Sequence, residues 1–430
     1  MAEQLGGDGG TLVPAGYRPR VVDGEMQRGL RAAGCVVIEG PRACGKTWTG
    51  LRFAASAVRL DTDIDVRTLG AIEPAALLGG ARPRLLDEWQ MVPMVWNHVR
   101  HACDATSRLG LFILAGSAQP ADDITRHTGA GRVRRIRMRP MTLYESGDSS
   151  GEVSLASLLD REPASAARPA GGLADVAALI CRGGWPGQLD LPLGEVQENL
   201  RGYLAEVART DVDRLEGAAS RNPDGIERLL RSLARNTATE ARDTTLAADV
   251  EPEPLHRHSV RAYTAALRRL FVLEEQPAWS VRLRSRAALR RSPKRHLADP
   301  SLAAAALGAD PDRLVSEPAT LGVLFESLVV RDLRVLAQPL GGRVHHLRDA
   351  AGQEVDAVVE CPDGRWLAAE IKLGGTEAID TAASSLLRLA AKLHDERLER
   401  RGALVVITAV GYGYTRPDGV SVVPITTLGP

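Results

Sequence analysis

The chain has 430 residues, 44% of them hydrophobic and 25% charged, with 54 basic residues balanced by 54 acidic ones. That length exceeds one ordinary hydrophobic core and predicts two or three domains, while the zero net charge excludes a global basic field for nucleic acid, although local arginine clusters keep DNA as a candidate partner. No run of eighteen apolar residues and no basic-then-apolar leader is present, so a cytoplasmic protein without a membrane span is expected. The five cysteines (Cys35, Cys44, Cys103, Cys181, Cys361) are scattered, which suits buried thiols better than a disulfide framework or a zinc site. Only four of the basic residues are lysine: Lys46, Lys294, Lys372 and Lys392. Where arginine has replaced lysine so widely, a retained lysine marks a place for a compact ammonium, and Lys46 and Lys372 fall in motifs that use one. Lys294 and Lys392 are equally well read as chance.

In chain order, the first expected element is an apolar, β-rich strand from Cys35 into Gly40. It runs into Gly40-Pro41-Arg42-Ala43-Cys44-Gly45-Lys46-Thr47, followed by a segment of helical composition. Strand, glycine loop and helix in the pattern G-x-x-x-x-G-K-T form a phosphate cradle. Backbone N–H groups and the helix N-terminus receive the phosphates, Lys46 reaches their outer oxygens and Thr47 ligates Mg²⁺. Arg84-Leu85-Leu86-Asp87-Glu88 then predicts a strand ending in two acids, with Asp87 holding hydrated magnesium and Glu88 polarising the attacking water. Leu111 to Gly116 is a third strand, ending in Ser117 where a polar γ-phosphate sensor belongs. In Gly131 to Pro140, strand alternation turns Ile136 and Met138 inward and Arg135, Arg137 and Arg139 outward. Arg132 is either a finger for a neighbouring subunit's γ-phosphate or part of a solvated or DNA-facing edge.

Ser146 to Gly172 is rich in Gly, Ser, Ala and Pro and reads as a linker or mobile loop. The stretch from Asp175 to about Arg295 is mostly helical. Gly225 to Arg235, Thr245 to Val250 and His258 to Leu270, followed by a strand at Phe271 to Glu275, have the layout of a winged helix. Its third helix carries Arg261, Arg268 and Arg269, for DNA or for a lid or subunit contact.

After Pro318 a helix holding Glu326 is expected, then strands around Val344 to Asp349, Gln353 to Val359 and Trp366 to Lys372. Adjacent antiparallel strands would bring Asp356 to Glu370, with Lys372 on the same face as Glu370. Such a set can hold one or two Mg²⁺ or Mn²⁺ ions and hydrolyse phosphodiesters, whereas a hairpin with a structural ion pair is the plainer reading.

Taken together, these pieces resemble bacterial and archaeal ATP-binding proteins that join an AAA-type ATPase domain to a C-terminal domain related to the PD-(D/E)XK restriction-endonuclease-like superfamily. The matching residues are Tyr17-Arg18-Pro19-Arg20, Gly40 to Thr47, Leu85 to Gln90 with Val92-Pro93, Ala115-Gly116-Ser117, Gly131-Arg132 with Arg139-Pro140-Met141, Arg182 to Pro186, Ser292-Pro293-Lys294 with Asp299-Pro300, Leu324-Phe325-Glu326, and Glu354 to Asp356 with Glu370 to Lys372. The resemblance implies an α/β protein in four stretches. These are an AAA-type αβα domain at 1–145, a linker at 146–174, a winged-helix-like region at 175–300, and a restriction-endonuclease-like α/β domain at 315–430. It implies ATP and Mg²⁺ at Lys46, Thr47 and Asp87, a nuclease-like fold at the C-terminus and, by analogy, a homo-oligomer formed through the ATPase domain, while the metal at Asp356 and Glu370 is read from the strand spacing. Cys44 departs from the small or polar residues usual in such a loop and suggests sensitivity to thiol oxidation.

Overall fold

The computed structural model describes residues 12–106, 108–118, 131–167, 169, 171–211, 222–250, 254–280, 292–348, 352–393 and 399–430. The chain divides into two compact units: one runs to Arg139 and includes Arg269–Phe271, and the other holds Pro140–Arg268 and Val272–Pro430.

The first unit is a parallel sheet of β1 (Cys35–Glu39), β2 (Ser56–Arg59), β3 (Arg84–Asp87), β4 (Phe112–Gly116) and β5 (Val133–Arg137), in the order β2-β3-β4-β1-β5. β1 and β4 are central and buried along almost their whole length, as near-continuous apolar runs are in parallel sheets. Helices α1 (Asp23–Ala32), α2 (Lys46–Phe53), α3 (Ile64–Ile72) and α4 (Val95–Asp104) accompany the sheet. α4 buries Val95, Trp96, Val99 and Cys103 against Val37, Leu86 and Leu114, a stripe set by its 3.6-residue period. Ile136 and Met138 are fully buried, as strand alternation predicts, while Arg135 is exposed. Register decides where the chemistry lies. Glu39 pairs with Gly116 and Asp87 with Ala115, so β1, β3 and β4 all end at one edge of the sheet.

The second unit opens with α5 (Leu143–Ser146), β6 (Val153–Ser154), α6 (Leu155–Leu159) and β7 (Ser165–Ala166). Helices α7 (Leu173–Arg182), α8 (Leu193–Glu206), α9 (Pro223–Arg235), α10 (Asp243–Ala248) and α11 (Arg257–Arg269) follow. Next come β8 (Leu273–Gln276), β9 (Lys294–Leu297), α12 (Pro300–Leu307), α13 (Pro311–Ser316) and α14 (Pro318–Ala337). The chain ends with β10 (Arg343–Arg348), β11 (Glu354–Glu360), β12 (Trp366–Lys372), α15 (Thr376–Ala391), β13 (Arg401–Thr408), β14 (Gly413–Thr415), β15 (Val420–Pro424) and β16 (Leu428–Gly429). Seven strands form one mixed sheet in the order β10-β11-β12-β13-β15-β14-β7. α15 buries Ala382, Ala383, Leu386, Leu389 and Ala390 against Trp366, Leu404, Val406 and Val422 of that sheet. Residues 349–351, between the expected strands of the hairpin, lie outside the described residues.

The expectation of a linker at 146–174 is corrected here. β7 pairs antiparallel with β14, β6 pairs parallel with β16, and Ser149 Oγ donates to the Leu428 carbonyl at 2.7 Å. Two-residue strands of Ser, Ala and Val have no propensity pattern of their own, because they complete sheets whose other members lie some 250 residues away in the chain. A buried network accounts for several of the quoted motifs. Arg331 bonds Asp299 at 2.7 Å and Asp332, Asp299 accepts from Gly184 N, Asp332 accepts from Leu143 N, and Trp185 Nε1 donates to Ser301 Oγ. These residues satisfy one another in the interior and serve the fold.

Candidate functional sites

The phosphate loop grows out of the backbone. A Cβ on Gly40 would stand 2.1 Å from the Met138 carbonyl, and Gly45 enters α2 at φ +102°, a left-handed conformation that glycine adopts freely. Ala43 sits at φ +63°, where a side chain is tolerated at some cost. The loop is held from beneath by Arg20, whose guanidinium donates to the Cys44 carbonyl at 2.8 Å and to the Arg139 carbonyl at 2.7 Å. Tyr17, from the same quoted motif, donates to Asp23 at 2.6 Å and lies 3.2 Å from Thr49 Oγ1 on α2. Position in the chain gives no hint of either role. Cys44 is fully buried, with its sulfur 3.8 Å from the Met138 carbonyl. The expected oxidation sensitivity therefore lacks an accessible thiol, and all five cysteines are buried and unpaired.

Lys46 is buried and donates to the Pro41 carbonyl at 2.7 Å, folded back over the loop that would receive phosphate. Thr47 Oγ1 lies 3.1 and 2.9 Å from the two oxygens of Asp87. A hydroxyl and a carboxylate so close together offer the hard oxygen donors that Mg²⁺ prefers, so the residues fit that ion. Burial lifts the Asp87 carboxyl to about 6, partly offset by the Thr47 hydrogen bond, and a bound cation would favour the ionised form. Glu88 stands at φ +51° and accepts from Ser117 Oγ at 3.0 Å and from Gln90 Nε2, which is also 3.3 Å from Ser117 Oγ. Glu88, Ser117 and Gln90, the last residue of the Leu85 to Gln90 motif, thus form one group beside Asp87. Arg42 is exposed on the loop.

Arg132 lies elsewhere. It precedes β5, and its carbonyl accepts from Cys35 N at the opposite end of the sheet from the loop. Its side chain pairs with Asp104, so it does not reach the phosphate loop of its own chain.

In the second unit, Asp356, Glu370 and Lys372 converge as the strand arithmetic requires. β11 and β12 are antiparallel with Ala357 opposite Ala369, which sets Asp356 opposite Glu370 one step further on. Lys372 Nζ lies 2.8 Å from Glu370 Oε2 and 3.3 Å from Asp356 Oδ2, which also accepts from Ile371 N at 2.8 Å. Glu326 comes in from α14, accompanied by Lys294 from β9, whose Nζ is 2.5 Å from Glu326 Oε1 and 3.8 Å from Asp356 Oδ1. The result is an alternating row: Glu326, Lys294, Asp356, Lys372, Glu370. Sequence spacing could not place Lys294; its rarity and the Ser-Pro-Lys motif were the signals. Gln276 Nε2 donates to the carbonyls of His345 and Asp356, both at 2.9 Å, and thereby fixes β11 against β8.

Burial, and then the charge of Asp356, push Glu326 and Glu370 up to about 7, against the pull of their lysines. The lysines are held in the charged form: Lys294 and Lys372 are both raised, as their carboxylate neighbours overcome the effect of burial. Three acids facing two ammoniums leave one excess negative charge, so the outer acids take up a proton near neutrality. The fit to a metal is poor. Among the described residues no group of three or more His, Cys, Asp and Glu gathers closely enough to hold an ion, and an ammonium already stands beside each carboxylate of the row. The expectation of one or two metal ions at Asp356 and Glu370 therefore has no ready-made donor set behind it.

Between these elements, α9, α10 and α11 and the antiparallel pair β8 and β9 reproduce the expected three helices and strand, and add a second strand. Arg261 pairs with Asp243 at 3.2 Å and Arg268 with Glu275 at 2.7 Å.

The fold and first site define an AAA-type P-loop ATPase domain, and residues 33–146 match the family model of an AAA domain. Residues 173–313 match a domain of unknown function (DUF8612), and residues 321–428 match another (DUF4143). No curated protein matches the chain. Among solved structures, the Walker-type ATPase of Pyrococcus abyssi aligns at 13% identity and a TM-score of 0.40, over 69% of this chain and 99% of its own. The replication initiator DnaA, bound to AMPPCP and single-stranded DNA, aligns at 12% identity and 0.28, over 57% and 86%. The Aeropyrum pernix ORC1 protein in complex with DNA aligns at 13% and 0.27, over 71% and 97%. No described helix is long and apolar enough to cross a membrane.

Proposed function

We propose that this protein is a Mg²⁺-dependent ATP hydrolase whose second unit acts on nucleic acid in DNA processing or genome defence. In this reading Gly40 to Thr47 enclose the phosphates, Lys46 leaves the Pro41 carbonyl for the outer phosphate oxygens, and Thr47 and Asp87 hold the ion. Glu88 orients water, with Ser117 beside it as the polar sensor. The observation that carries it is the 2.9 Å approach of Thr47 to Asp87 next to Lys46, at one edge of the parallel sheet. Arg132 is assigned to a neighbouring copy's site, which makes the ATPase a homo-oligomer. α9 to α11 with β8 and β9 are read as a winged-helix-like element, and Asp356, Glu370 and Lys372, with Glu326, as the phosphodiester-directed group of a restriction-endonuclease-like domain.

A second reading is favoured by the lysine-filled acid row and its shortage of metal donors. In it, ATP occupancy controls assembly or the remodelling of a partner, and the C-terminal domain binds without cutting. One experiment separates the two. ATP hydrolysis and cleavage of linear and circular DNA are measured with Mg²⁺ or Mn²⁺, for wild type, Lys46→Ala and Lys372→Ala. Cleavage lost in Lys372→Ala supports the first reading. Hydrolysis without cleavage supports the second, and no Mg²⁺-dependent hydrolysis ends both.

A further inference from the structure

The placement of the four lysines is uneven. Lys46 lies in the phosphate loop, and Lys294 and Lys372 stand on the two oxygens of Asp356. The fourth, Lys392, follows directly on α15. It stands two turns beyond Ser385, whose side chain faces Glu370 and favours its charged form. Of the four lysines among 54 basic residues, one thus lies in the phosphate loop, two lie in the acid row, and Lys392 ends the helix that carries Ser385.

The surroundings of Lys392 form a groove. Gly352, Gln353, Glu354, Ser385, Arg388 and Lys392 line a volume of about 490 Å³. Its polar floor is tied together, as Gln353 Nε2 donates to the Ser385 carbonyl at 2.9 Å and Lys392 Nζ donates to Gln353 Oε1 at 2.6 Å. Ser385, Arg388 and Lys392 are three and four residues apart and so share one helix face, with the two cations about one turn, ~5.4 Å, apart along the axis. Arg388 and Lys392 are exposed. Glu354, the carboxylate of this lining, is paired with Arg348 at 2.9 Å, so its charge is already balanced. A row of two cations that starts at a phosphodiester-directed group matches successive phosphates of a polynucleotide better than it matches one small anion. The guanidinium would hold one phosphate through two donors and the ammonium the next as a point charge.

We infer that this groove is a backbone track for one strand of nucleic acid, in which Arg388 and Lys392 each hold a phosphate and lead the strand to Asp356, Glu370 and Lys372. The inference rests on the reading that the acid row acts on nucleic acid, and the test separates the two.

The full chain is titrated, without nucleotide and in EDTA, into a fluorescently labelled single strand and the matching duplex at several salt concentrations. The proteins are wild type, Arg388→Ala with Lys392→Ala, Lys392→Arg, and a control lacking two arginines elsewhere, the exposed Arg313 and the half-buried Arg365, as Arg313→Ala with Arg365→Ala. The double variant in the groove should bind the single strand roughly tenfold more weakly. The slope of log affinity against log salt should become shallower by about 1.4, or by about 1.8 if the duplex is the form bound, the value for two lost phosphate contacts. Lys392→Arg should keep the wild-type slope, the control should behave as wild type, and melting temperatures should agree across the set. If wild type binds and the groove variant matches it in affinity and slope, the track is wrong while the nucleic-acid reading stands. If wild type binds neither DNA form nor the corresponding RNA, that reading fails and the track fails with it.

Discussion

The two sites use the same chemical vocabulary in opposite ways. In the first unit a lysine and a carboxylate stand apart: Lys46 rests on a backbone carbonyl, and the Asp87 carboxylate accepts from the Thr47 hydroxyl at 2.9 Å. In the acid row of the second unit each lysine stands on a carboxylate, Lys294 at 2.5 Å from Glu326 and Lys372 at 2.8 Å from Glu370. A lysine bonded to a neutral carbonyl gives up little when a phosphate arrives. A buried lysine bonded to a carboxylate stabilises that carboxylate, and removing it leaves a charge uncompensated. The first site is prepared for a ligand, while the second is internally satisfied and must be opened at the Lys372 side, where about a third of the side chain is exposed.

The largest effect should come from breaking the first site without touching the fold. Lys46→Ala should slow ATP hydrolysis on the order of 100-fold or more, the scale for losing one preorganised donor to a developing charge, and should shift the urea midpoint little. Glu88→Gln should retain Mg-ATP while slowing turnover on the order of 100-fold, seen as binding without steady-state hydrolysis. If either variant turns over at the wild-type rate, the assignment of roles at this edge is wrong.

Lys294→Ala should behave in the opposite way. Losing one partner of a buried pair should cost about 3 kcal/mol in denaturant unfolding, with ATP hydrolysis near wild type while the protein is folded. An unchanged midpoint would mean the acid row is not a stabilising network.

The smallest effect is a pH dependence. Glu326 and Glu370 are raised from 4.5 to about 7, so between those values the native state binds more protons than the unfolded chain. Stability contributed by the outer acids is therefore present at low pH and lost as pH rises through about 7. Glu326→Gln should flatten the decline in melting temperature between pH 5 and 7, by an amount on the order of 1 kcal/mol. Parallel wild-type and variant profiles would argue that the excess proton resides elsewhere.

How much could be read in advance follows from how each site is built. Gly40 to Thr47 is contiguous, and its chemistry uses backbone conformation and a helix N-terminus that the residues themselves impose, so the motif and the site coincide. Asp87, Glu88 and Ser117 were legible because parallel strands end at a common edge. Asp356, Glu370 and Lys372 were legible because antiparallel pairing follows from period two and a tight turn. Arg20, Gln90 and Lys294 stand in recognisable motifs, but their contacts were not legible, since each acts on a partner from another element. The two strands in the supposed linker escaped notice for the same reason, their pairing being non-local.

The phosphate loop, the acidic strand end, the inward faces of β1, β4 and β5, and the pairing that joins Asp356 to Glu370 all follow from the order of residues along the chain. These depend on periodicity, glycine and short-range geometry. That Lys294 and Lys372 bracket one carboxylate, that Arg132 lies at the far end of its sheet, and that residues 153–166 complete sheets of the second unit are outcomes of the folded arrangement. Those outcomes depend on which distant elements come to share an edge or a buried face, where charge and hydrogen bonding must be satisfied by whatever side chain arrives.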